Sequence, residues 1–201
     1  MTLQRLIGSS LAIVLVAAAP TGAQTTAQND SAVRAVARSS GLPLATPRTL
    51  RFTTDEASWI SLDVAPDGQS IVFDILGDLY SLPMAGGTAT RITSGTGWDQ
   101  QPRFSPDGKQ LVFVSDRNGS KNVWIANADG SKPRLITRSE RINYASPIWS
   151  ADGQYIIASR VGQLWMYNTG GGSGVQLTGL RAEGAAAPAG GEQLYVWGAN
   201  T

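Results

Sequence analysis

The chain has 201 residues, 42% of them hydrophobic and 15% charged, and a formal net charge of +1. That balance points to no nucleic-acid partner and no acidic membrane surface, and the absence of Cys excludes a disulfide framework and a thiolate nucleophile. The absence of His removes the usual general base, the commonest zinc ligand and any Ser-His-Asp triad.

Residues 1–23 read as an export signal. Arg5 supplies the positive start, Leu6 to Ala19 is mostly apolar, and Thr21-Gly22-Ala23 offers small residues for cleavage. The apolar run is about 14 residues, short of the roughly 20 that span a bilayer. No later segment resembles a span, so the expected product is a bacterial periplasmic or secreted protein with no membrane span once the signal is removed. Residues 24–48, rich in Gln, Thr, Ala and Ser, read as a linker, with a short helix predicted over Ser31 to Arg38.

Residues 49–201 carry a repeat. LDVAPDGQSIVFDILGD (62–78), FSPDGKQLVFVSD (104–116) and IWSADGQYIIASRVG (148–162) are variations on one pattern, and APAGGEQLYVW (187–197) is a fainter copy. The turn glycines Gly68, Gly108, Gly153 and Gly191 are 40, 45 and 38 residues apart. A period of about 40–45 residues with several short strands per unit marks a β-propeller blade. The expected fold is all-β: an incomplete propeller of four-stranded antiparallel blades, with three blades, the start of a fourth and an N-terminal closing strand at Thr49 to Thr53.

Within each unit the strands follow in order. The first gives Ile71 to Phe73, Leu79 to Leu82 and Thr90 to Thr93. The second gives Pro102 to Ser105, Leu111 to Val114, Asn122 to Ala126 and Arg134 to Thr137. The third gives Tyr155 to Ala158, Leu164 to Tyr167 and Val175 to Thr178. Tyr80, Trp124 and Trp165 hold one position in the three copies and are predicted to fill the space between adjacent sheets.

The Pro-Asp-Gly turns and the endings of "FSPDGKQLVFVSDRNGSKNVWIANADGSKPRLIT" (104–137) resemble TolB-type propellers, relatives of WD-type blades. The resemblance covers about residues 49–197. Ala151 replaces the turn proline in the third unit, and Gly190 replaces the Asp in the fourth. Such repeats imply a non-catalytic module for scaffolding, protein docking or substrate gating. The opening "FTTDEASWISLDVAPDGQSIVFDILGDLYSLPMAGGTATRIT" (52–93) resembles propellers that precede a metal-dependent amidohydrolase domain. That likeness implies a catalytic domain, and a divalent metal, beyond Thr201. Two alternatives stand beside it: a stand-alone TolB-like binding protein of the Tol–Pal envelope system, and the propeller of a prolyl-oligopeptidase-like or tricorn-like serine peptidase. TolB carries an α/β domain before its propeller, and the short segment between signal and first strand leaves no room for one. The implied partner is a protein or the downstream catalytic domain. The chain itself is expected to hold no catalytic residue, no metal and no cofactor, to lack hydrolase activity and to self-associate.

Two residue sets invite a role. Asp67-Gly68, Asp107-Gly108 and Asp152-Gly153 recur in register, and Asp-Gly is a favoured hairpin pair, so turn chemistry is the expectation. Trp59, Trp98, Asp99, Gln100, Arg103 and Tyr144 fall just before or within the first strand of their units. There they are candidates for a partner-binding rim.

Overall fold

The computed structural model describes residues 52–58, 60–179, 181–186 and 193–198. The signal segment 1–23, the linker 24–48 and the Gly190-Gly191 turn lie outside these residues. Of the expected closing strand, Thr49 to Arg51 also lie outside, while Phe52 and Thr53 join no sheet and Phe52 is exposed. An extended segment gains ladder hydrogen bonds only from a neighbouring strand, and no described strand pairs with this one.

Each repeat becomes one antiparallel sheet. The first holds β1 (Leu62–Val64), β2 (Ser70–Ile75), β3 (Asp78–Pro83) and β4 (Thr90–Arg91). The second holds β5 (Asp99–Phe104), β6 (Gln110–Ser115), β7 (Asn122–Asn127) and β8 (Arg134–Leu135). The third holds β9 (Tyr144–Trp149), β10 (Tyr155–Arg160), β11 (Gln163–Asn168) and β12 (Val175–Gln176). In all three the strands lie side by side in chain order. A fourth unit contributes β13 (Gly184–Ala186) paired with β14 (Tyr195–Trp197). Among the described residues no helix is long and apolar enough to cross a membrane.

The first strands of successive sheets pack on one another, β1 on β5, β5 on β9 and β9 on β13. The sheets therefore fan out from a shared inner side as propeller blades. The central strand β6 is apolar throughout its middle because both faces are covered: Leu111, Val112, Phe113 and Val114 are fully buried.

Trp124 packs with Leu79 and Ile92 of the first blade and Phe113 and Ala126 of its own. Trp165 packs on the core formed by Val112, Val123 and Ile125 of the second blade with Ile156 and Tyr167 of the third. Both indoles thus fill blade junctions. The equivalent Tyr80 stacks on Phe73 across the ladder at 5.8 Å. It lies in register with Leu62, which is 48% exposed, on the face of the first blade turned away from the second.

The outer strands are shorter than the sequence predicts. Thr93, Thr137 and Thr178 stand beyond their ends rather than inside them. The physical reason repeats three times. Each threonine hydroxyl accepts a hydrogen bond from the neighbouring strand, from Leu79 N at 2.8 Å, Val123 N at 2.9 Å and Leu164 N at 3.1 Å. A side chain has taken the place of the next ladder bond.

Candidate functional site

The Asp-Gly turns are built from their own side chains. Asp67 accepts from Gln69 N at 2.9 Å, Asp107 from Lys109 N at 3.1 Å and Asp152 from Gln154 N at 3.0 Å. Ser105 and Ser150 donate their hydroxyls to Asp107 and Asp152 at 2.7 and 2.5 Å. These hydroxyl bonds, helped by the backbone amides, hold both carboxyls below the usual carboxylate range. Gly68, Gly108 and Gly153 share a φ of 69°, the left-handed region that glycine adopts freely. The turns also touch between blades: a Cβ on Gly108 would meet Pro66 at 3.4 Å, and one on Gly153 would meet Pro106 at 3.7 Å.

The rim candidates separate. Trp59 lies outside the described residues. Trp98, Asp99 and Gln100 come together at the opposite end of the blades from the Asp-Gly turns. There they line a cleft of about 460 Å³ with Ser61, Asp74 and Gly77 of the first blade. Trp98 is half-exposed, its amide donates to Asp116 at 2.7 Å, and its ring lies over Gly77, where a Cβ would approach to 3.1 Å. Asp99 points inward instead and is 1% exposed. Both its oxygens accept from Arg117 Nη2, at 2.8 and 2.7 Å. The Arg117 guanidinium lies 5.1 Å from the Trp124 ring and 5.4 Å from that of Phe113.

Arg103 stands further along β5, past a bulge that shifts the register after Gln100. It donates to Leu62 O at 3.1 Å and to Pro102 O at 2.7 Å, and its own carbonyl accepts from the Trp149 indole at 3.1 Å. It braces three inner strands. Tyr144 is buried in the junction of the second and third blades, its hydroxyl 3.4 Å from that of Tyr167.

Bulges carry the contacts between inner strands. Gln101 and Ser146 sit at equivalent bulges with φ of 56° and 51°. Each turns its amide toward the preceding blade: Gln101 N donates to Asp74 Oδ2 at 2.7 Å, and Ser146 N to Gln101 Oε1 at 2.8 Å. Phe104 N donates to Asp63 at 2.8 Å in the same sense. Reading residue types along the chain missed Asp63, Asp74, Arg117 and Arg160. Only a blade-to-blade register reveals which polar groups face a neighbouring sheet. Among the described residues no three His, Cys, Asp or Glu side chains are grouped to hold a metal ion.

The stacked four-stranded sheets, inner-strand bulges and junction indoles define a β-propeller of the TolB and tricorn type. The chain belongs to the family of the tricorn protease N-terminal β-propeller domain, which matches residues 61–196. It is 31% identical over 98 residues to tricorn protease homolog 1 of Streptomyces coelicolor, covering 49% of this chain and 9% of that protein. It is 29% identical over 122 residues to the Tol-Pal system protein TolB of Wolinella succinogenes, covering 58% and 28%. The crystal structure of TolB from Acinetobacter baumannii is similar with a TM-score of 0.50 and 25% identity, over 59% of this chain and 32% of that one. The chain spans less than a third of the length of the curated relatives it matches.

Proposed function

We propose that this chain is the non-catalytic propeller module of an exported bacterial protein and serves as a docking or gating surface for a hydrolase domain. The observation that carries the reading is the asymmetry of the first blade. Val72 and Leu79 on one face are fully buried against the second blade, while Leu62 and Val64 on the other are nearly half exposed. The equivalent faces of the second and third blades are covered by a neighbouring blade. An apolar sheet face of this kind is built to be covered by further structure.

The parent enzyme is either a metal-dependent amidohydrolase, as the opening segment implies, or a tricorn-like peptidase, which the similarity to the Streptomyces coelicolor homologue favours. Stand-alone binding of the TolB kind is the remaining reading. Export rests on the apolar residues 6–19 behind Arg5. Sequencing the gene past codon 201 tests the proposal. A His-x-His at a strand end would mark the amidohydrolase, and a Gly-x-Ser-x-Gly with a later His the peptidase. Further blades followed by a stop would overturn the hydrolase reading in favour of the binding protein. Purified chain is expected to hydrolyse neither peptides nor amides, with or without divalent metal, and turnover would refute the non-catalytic role.

A further inference from the structure

We infer that the cleft between the second and third blades is a binding site for a peptide carboxylate, held by Arg160 over Trp165. The cleft measures about 580 Å³, within the range of small-ligand sites. Its walls come from two complete blades, so its shape is independent of which domain the propeller serves. Leu135, Ile136 and Trp165 supply apolar surface, Tyr144 and Tyr167 bring hydroxyls, and Arg138 and Arg160 bring charge. Among the described residues no carboxylate lines it.

The neighbouring junction shows what is missing. In the second blade Arg117 lies over Trp124 and is neutralised by both oxygens of Asp99. In the third blade Arg160 lies over Trp165, closer still at 4.3 Å. Asp99 opens β5 opposite Ser115, and Tyr144 opens β9 opposite Arg160. The position that supplies the carboxylate in one blade therefore holds a phenol in the next. Among the described residues Arg160 forms no ion pair, whereas Arg91, Lys109 and Arg117 do. Burial and the Tyr144 hydroxyl push Tyr167 above the usual tyrosine range, against the pull of Arg160, so the Tyr167 phenol stays neutral at physiological pH and does not neutralise the guanidinium. A guanidinium stacked on an indole, flanked by tyrosine hydroxyls and lacking an acid among the described residues, is complementary to an incoming carboxylate.

The test uses the chain labelled with 5-fluorotryptophan, with the Trp165 fluorine resonance assigned from Trp165→Phe. Four probes are titrated: acetyl-trialanine with a free carboxylate, the same peptide amidated, acetyl-Ala-Glu-Ala-amide, and inorganic phosphate. A saturable shift of Trp165 is expected with one or both carboxylate peptides and not with the amidated one. Whichever responds identifies a chain terminus or an acidic side chain as the source. Arg160→Gln should weaken binding at least about tenfold. Tyr144→Asp should do the same by supplying an internal partner, while an unmoved Trp124 resonance reports that the fold is intact. Equal response to the amidated peptide, undiminished binding by Arg160→Gln, response to phosphate alone, or no response to any probe would each overturn the assignment.

Discussion

Asp99 and Arg117 form a two-oxygen ion pair inside the junction of the first two blades, with only 1% of the Asp99 surface exposed. The Arg117 Nε also donates to Ser115 at 3.0 Å, so the guanidinium is fixed on two sides. Replacing Asp99 by Ala leaves that cation between Phe113 and Trp124 without its acid. Breaking a buried pair from one side costs about 3 kcal/mol or more. Urea denaturation should show a loss of that size. A loss under about 1 kcal/mol would mean that solvent screens the pair.

Glycines at similar φ should differ sharply in their tolerance of a side chain. Gly68 has a φ of 69° and open space where a Cβ would stand. Gly68→Ala should therefore cost only the left-handed strain, about 1 kcal/mol. Gly130 has a φ of 80°, and its Cβ would meet the Ile92 carbonyl oxygen of the first blade at 2.0 Å. Gly130→Ala must push the blades apart and should cost at least twice as much. Thermal melts of the two variants compare them directly, and equal shifts would refute the close approach.

The two faces of the first blade should respond in opposite ways. Leu79→Ala opens a cavity in the junction and should destabilise by about 3 kcal/mol. Leu62→Lys and Val64→Lys place charge on the exposed face. They should reduce self-association in sedimentation experiments while leaving the melting temperature nearly unchanged. A large drop in melting temperature would show that this face is already covered.

The turn carboxylates carry a pH signature. Asp107 has a folded pKa below its unfolded value of about 3.9. Its contribution is present above that pH and is lost as pH falls through the folded value. Asp107→Asn should therefore destabilise at pH 6, and the difference from the parent should shrink as the solution is acidified below about pH 4. Melting curves across that window check the sign. A penalty that grows on acidification would contradict it.

The period of the turn glycines was enough to read the blades, because a turn that needs left-handed backbone leaves Gly at every recurrence. The junction indoles were legible for a similar reason: a large apolar ring recurs where two sheets must be held apart. Two kinds of feature were not. Thr93, Thr137 and Thr178 look like strand residues because Thr favours strands, yet each spends its hydroxyl on the adjacent strand. The rim candidates looked like one cluster because they occupy one part of the repeat. The bulge after Gln100 instead turns Arg103 to the inner strands, and burial takes Tyr144 and Asp99 into two different junctions.

Every ladder in the three blades joins strands that are consecutive in the chain. Blades meet mainly through side chains and a few braces such as Gln101 to Ser146. The molecule therefore resembles beads that each close on themselves and are glued to the next, more than a sheet woven from distant threads. Whole beads can be added or removed during evolution without rewiring the backbone of those that stay, since only glue surfaces must match. Under mechanical load the same arrangement would yield in discrete steps, one blade at a time.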